Sequence, residues 1–257
     1  MRFLPGLLLL LPLVTPYVQA ELIDDVNDRG ELRIALEANT PPFNFKDDDK
    51  LTGFEVELGQ MLASELDVRT DFVVTDSTDL LQGVESGRYD VAINHIAMTP
   101  ELKDRFDFSE PYSYSNAQLI VRQEDPRPLG TLLALKGQAL GVAQSSQFAE
   151  QTRTVEGVDL RSYPDAQQPL RDVADKQIDA AVSDRLLVPY AIRDSRLPVK
   201  EGANVGPTLS LAIPFQKGNP AFQASIDKAL QRIKADGRLM ALSEKWLGMD
   251  ASKPPKP

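Results

Sequence analysis

Short apolar runs alternate with stretches of helical period along most of this chain. Leu32–Leu36 (LRIAL) reads as a strand, halted by Pro41-Pro42 and a loop whose tip is Asp47-Asp48-Asp49. From Phe54 to Leu66, Leu58, Met61, Leu62 and Leu66 fall on one face, which predicts an amphipathic helix. Phe72–Thr75 is a second strand, Asp79–Ser86 a short helix ended by Gly87, and Asp90–Ile96 a third strand with a buried-sheet pattern. The rhythm then repeats. Leu140–Ala143 is a strand, a helix starts at Ser145-Ser146, and Leu160–Tyr163, a helix over Gln167–Lys176 and Ile178–Val182 follow. Thr208–Ile213 is another strand candidate, and two helices, Pro220–Ala235 and Leu239–Trp246, close the pattern. Such alternation predicts an α/β fold. Two apolar extended stretches, Ala117–Val121 and Leu209–Ile213, flank the middle unit.

The ends read differently. Residues 1–20 combine Arg2, a leucine-rich run over Phe3–Val14, and Val18-Gln19-Ala20, the pattern of a cleaved secretory signal peptide and too short for a membrane span. The expected mature chain starts near Glu21, is periplasmic, and does not insert stably in a membrane. Residues 250–257 are proline-rich and expected to form a disordered tail.

Composition narrows the chemistry. A net charge of -10 with no basic patch argues against nucleic acid, whose phosphates demand clustered Lys and Arg. The lack of cysteine excludes a lipid-modified cysteine, and with only one histidine besides it argues against a zinc site or a Cys–His nucleophile. The acidic Asp47–Asp49 tip lacks the spaced oxygen ligands of a cation loop. No cofactor, metal site or catalytic residue is expected.

One stretch carries a family signature. Gly53-Phe54-Glu55-Val56-Glu57-Leu58 places a glycine turn before two carboxylates in a helix's first turn, where the helix dipole favours them. Pro42-Phe43, Gly87-Arg88-Tyr89-Asp90, Phe106–Tyr112 (FDFSEPY), Lys136–Val142 (KGQALGV), Gln177–Ala181 and Ala235-Asp236-Gly237 follow in order and spacing. Over about residues 30 to 248 the chain resembles the periplasmic solute-binding proteins of polar amino-acid ABC importers (bacterial extracellular solute-binding protein family 3). The resemblance implies a type II, two-lobed periplasmic-binding-protein-like fold with a ligand cleft between the lobes. It implies a discontinuous first lobe, residues 21–119 and 212–249, and a second lobe, residues 120–211. It also implies a monomer that binds an amino acid or amine and passes it to an ABC permease.

The same resemblance assigns site positions. Asp184 corresponds to the acid that binds the ligand's amino group; the residues alone equally allow an N-cap for a helix starting near Arg185. Ser145 and Ser146, at a helix start, offer hydroxyls and free N–H groups to a polar ligand or simply cap the helix. Glu37 matches the acid that meets a cationic ligand's far end, or is a solvated loop carboxylate. Asn94 and His95 end the third strand, where the family usually carries small hydroxyl residues; a structural histidine is the alternative. Four positions depart from the pattern. Leu102 replaces the arginine that holds the α-carboxylate, Ala97 a frequent serine, and Thr40 and Ser77 the aromatic rings that sandwich the ligand. Arg105, one helical turn on, either reaches back in place of that arginine or is a surface residue.

These residues favour a binding protein without catalysis. A trans-acting sensor, or a diverged module without transport, is the alternative. A dehydratase-like enzyme on the same scaffold is disfavoured by Leu102 and by the lack of a glutamate in Ser183–Val188.

Overall fold

The computed structural model describes residues 21–144, 146, 148–153 and 155–255. Residues 1–20, expected to be a signal peptide, and Ser145 lie outside the described residues.

Two five-stranded sheets organise the chain. The first runs in the order β5 (Arg69–Val74), β1 (Glu31–Leu36), β6 (Val91–Ala92), β13 (Pro214–Gln216), β7 (Phe106–Phe108). The second runs β10 (Asp159–Tyr163), β9 (Ala139–Ala143), β11 (Ala180–Asp184), β8 (Ser113–Arg122), β12 (Val199–Leu211). A small hairpin sheet, β2 (Asn39–Thr40), β3 (Asn44–Asp47) and β4 (Lys50–Thr52), sits on the first. In each large sheet three strands are parallel, β5-β1-β6 and β10-β9-β11. Around the first sheet pack α1 (Leu22–Arg29), α2 (Phe54–Glu65), α3 (Ser77–Glu85), α4 (Pro100–Arg105), α8 (Pro220–Ala235) and α9 (Arg238–Leu247). Around the second pack α5 (Ala149–Arg153), α6 (Gln167–Ala174) and α7 (Val188–Ser195). This is the two-lobed type II arrangement, with the first lobe built from both ends of the chain. Among the described residues no helix is long and apolar enough to cross a membrane.

The chain leaves the first sheet after Phe108 and returns at Pro214. The first crossing therefore precedes the expected boundary at residue 119. Residues 113–119 belong to β8, which pairs with β12 from Ser113 to Arg122 and with β11 from Ala117 to Val121. The third strand also differs. It ends at Ala92 rather than Ile96, because the chain leaves the sheet after the Ile93 N–H bonds to Ala35, and Ala97 bridges Leu211 instead. The tail differs too: Ala251 is fully buried, its N–H donates to Ser243 Oγ (2.8 Å) and its carbonyl accepts Tyr114 N–H (2.9 Å).

Sequence explains the joints. Gly53 has φ 122°, and a Cβ there would lie 2.2 Å from the Phe43 carbonyl oxygen, so only glycine fits. The N–H groups of Phe54 and Glu55 then donate to the carbonyls of Pro42 (3.0 Å) and Phe43 (2.8 Å). Backbone carbonyls thus cap the start of α2 and pin residues 42–43 against it. On the far side of the lobe, fully buried Asp90 pairs with Arg29 and with Arg33 (2.7 Å) and accepts the Arg33 N–H (2.7 Å). Removing one member of such a buried cluster strands the others. Asp90→Ala should lower the free energy of unfolding by about 3 kcal/mol in urea titration; a loss within error would mean that the arginines are adequately solvated without it.

Candidate functional site

Parallel strands end together, and the segments beyond their ends converge. Glu37 follows β1, Asn94 and His95 follow β6, Ser146 follows β9, and Asp184 closes β11. Open α/β sheets place ligand sites beyond these carboxyl ends. Here the two sheets present those ends to one cavity of about 570 Å³, lined by Glu37, Asn39, Thr40, Asn94 and His95 from the first lobe. The second lobe contributes Ser146, Ser183 and Asp184 among apolar residues that include Ala143, Phe148, Leu170 and Leu187. One wall is polar, and the other is mostly apolar, with two serines and a single carboxylate.

A buried carboxylate sets the polar wall. Glu55, fully buried in the first turn of α2, accepts Asn44 Nδ2–H (2.6 Å), Tyr112 O–H (2.7 Å) and His95 N–H (2.6 Å). Asn44 Oδ1 accepts the Ala38 N–H (2.9 Å). Asn94 Oδ1 accepts the Glu37 N–H (3.0 Å), while its Nδ2 donates to Glu37 Oε2 (2.7 Å). Glu37 and Asn94 are thereby oriented as a pair. The bond from Glu55 also holds His95 at φ 53°, a conformation rare outside glycine. The Phe43 ring, at 4.1 Å between centroids, packs on the imidazole.

His95 and Asp184 meet across the cleft. His95 Nε2 lies 2.9 Å from Asp184 Oδ2, and the side chains are 15% and 5% exposed. Asp184 Oδ1 accepts Ser115 O–H and the Leu186 N–H (2.8 Å). Burial alone would discharge the imidazole, but the Asp184 carboxylate and its hydrogen bond, with Glu55 behind, outweigh it and raise the His95 pKa. Burial likewise opposes the Asp184 charge. His95, Ser115 and the Leu186 N–H outweigh it and hold the Asp184 pKa below the usual carboxylate value. Tyr112, buried beside Glu55, is pushed well above an ordinary phenol.

Of the expected site residues, Glu37, Thr40, Asn94, His95, Ser146 and Asp184 line this cavity. Asp184 is not a helix N-cap, since α7 begins only at Val188. Four others lie outside the lining. Leu102 packs into the apolar cluster of Leu80, Phe106 and neighbours. Arg105 does not reach back: it forms a two-pronged pair with Glu85 (2.7 and 3.3 Å) and stacks over Phe106. Ser77 is exposed at the start of α3, and Ala97 packs on the first lobe's core. Ser115, Phe148 and Ser183 were not foreseen, because only tertiary pairing brings them to the cleft. Glu55 lay within the family signature, but a carboxylate in a helix's first turn ordinarily faces water. Among the described residues no cluster of three or more His, Asp or Glu side chains is placed to hold a metal ion.

The ion pair has a pH signature. A raised His95 pKa contributes stability that is complete below the unfolded value of about 6.5 and lost as pH rises through the folded value. The Asp184 contribution is complete above about 3.9 and lost as pH falls through its lowered folded value. As His95 is the sole histidine, its Cε1–H proton gives one NMR signal. It should titrate above about 6.5, with a lower midpoint in Asp184→Asn, where the main opposition to burial is gone and Glu55 remains. An unmoved midpoint in that variant would mean that Asp184 does not hold the ring's charge.

Residues 32–249 match the family described as bacterial extracellular solute-binding proteins, family 3. The L-cystine-binding protein TcyJ of Escherichia coli (strain K12) is 34% identical over 93% of this chain and 91% of its own. The unliganded, open L-cystine solute receptor of Neisseria gonorrhoeae superposes with a TM-score of 0.79 at 29% identity, over 91% of this chain and 100% of that one. An ancestral arginine-binding protein bound to arginine superposes at 0.69, with 30% identity over 86% and 99%. Fold, chain order and matched length agree: this chain belongs to the bacterial extracellular solute-binding proteins, family 3.

Proposed function

We propose that this protein captures an amino acid between its lobes in the periplasm and delivers it to an ABC importer. The observation that carries this reading is the interlobe cavity, whose polar wall holds Glu37 and His95 and whose apolar wall holds Asp184. Its volume, about 570 Å³, suits a small solute that offers a charged head to one end and an apolar or extended side chain to the other. The matched relatives carry the names of cystine and arginine binders, which supports the ligand class. The secretory pattern of residues 1–20 supports the compartment. A catalytic step finds no such support: Glu37 is engaged by Asn94, and Asp184 by His95 and Ser115.

In this reading Asp184 receives the ligand's ammonium, a charge-assisted contact in a buried setting. Thermal shift against the common α-amino acids, L-cystine included, should show stabilisation of about 2.7 kcal/mol at a hundredfold excess over Kd. Asp184→Asn, which keeps the shape and removes the charge, should weaken that ligand at least about a hundredfold. A protein that no amino acid stabilises would sink the reading; unchanged affinity in the variant would remove Asp184 from the contact.

A further inference from the structure

We propose that His95 supplies the cationic half of the binding site: a zwitterionic α-amino acid enters by opening the His95–Asp184 contact, its ammonium passing to Asp184 and its carboxylate to the imidazole. This rests on the reading of the cleft as an amino-acid site.

The argument begins with charge. The charged side chains among the described lining residues are Glu37, Asp184 and His95, so the imidazole alone can meet a carboxylate as a cation. Neither candidate near α4 supplies a second cation. Leu102 is apolar and turned into its own lobe, and Arg105 is committed to Glu85 outside the cavity. An α-amino acid carries a carboxylate that must be paired when water is excluded. His95 and Asp184 already form an ion pair 2.9 Å long whose halves come from opposite lobes and line the same cavity. A zwitterion presents the same two charges in the reverse sense. Inserted between them, it replaces one charge-assisted contact by two and adds no net charge to a buried place.

The surroundings keep the imidazole ready for that exchange. Glu55 fixes its backbone N–H, and Phe43 packs on its face. Its Nδ1 is buried and has no hydrogen-bond partner among the described residues. The titratable groups around the ring are Asp184 from β11, Glu55 from α2, Tyr112 ahead of β8, and Glu37 across Asn94. Three are carboxylates, which favour the charged ring; the Tyr112 hydroxyl stays neutral. An amine without a carboxylate would take Asp184 and leave the ring's charge buried and unpaired, so the site selects zwitterions over simple amines.

Paired probes isolate the carboxylate. Calorimetric titration of the purified, ligand-stripped protein would compare L-cystine with cystamine and L-arginine with agmatine, each amine being its partner without the α-carboxylate. The protein should prefer the amino acid. His95→Gln should lose about tenfold to a hundredfold for the amino acid and little for the amine. His95→Lys should keep the preference. The preference of the unaltered protein within each pair tests the idea even where His95→Gln fails to fold. Equal losses for both members of a pair, no loss for either, or an amine bound as tightly as its amino acid would each overturn the role of His95 while leaving the amino-acid reading intact. Failure of every amino acid to bind would overturn both.

Discussion

Everything on the polar side of the cleft hangs from one buried carboxylate. Glu55 sits at the start of α2, where the helix dipole favours its charge, and its three hydrogen bonds draw together segments far apart in sequence. Through Asn44 it reaches the hairpin sheet; through Tyr112 it reaches the approach to the first crossing. It accepts the N–H of the one histidine, whose backbone sits in the left-handed region at φ 53°. The site's shape is thus set by polar satisfaction in the first lobe rather than by apolar packing. The apolar wall opposite follows ordinary core rules.

Charge in the cleft is arranged around scarcity. The protein carries -10 overall, and of its 28 lysines and arginines none is among the described residues that line the cavity. A single imidazole faces two carboxylates there. Its charge depends on its neighbours, because burial by itself would remove it. A guanidinium would be insensitive to all of this. Holding charge on histidine couples the cleft's electrostatics to pH and to the position of Asp184 in the other lobe.

The sequence made the architecture legible because its signals are local. Strand ends, the Gly53 turn and the apolar face of α2 depend on neighbours within a few residues. Asp184, Glu37, Asn94 and His95 were assigned to the cleft by the family resemblance, which attaches them to strand ends that are local signals. The features that escaped needed tertiary knowledge. Arg105 and Leu102 occupy a six-residue helix whose orientation decides which way they point, and no periodicity reveals that over so short a stretch. Glu55 reads as a solvated first-turn acid until the partners that desolvate it, Asn44 and Tyr112, are in place. The contact between His95 and Asp184 joins residues 89 positions apart. The early first crossing has the same origin, because β8 is recognised as second-lobe sheet only by its pairing with β11 and β12.

The route between the lobes carries one more meaning. Phe108 and Pro214, where the chain departs and returns, are register partners in adjacent antiparallel strands. A tight turn is long enough to join two such residues, so the strand pairing of the first sheet closes on itself without the hundred-odd residues between them. Its packing does not close in the same way. Leu186, carried on the segment after Asp184, is fully buried within the first lobe's core. The inserted lobe is a removable detour for the backbone and, at the same time, the stopper in its host's interior.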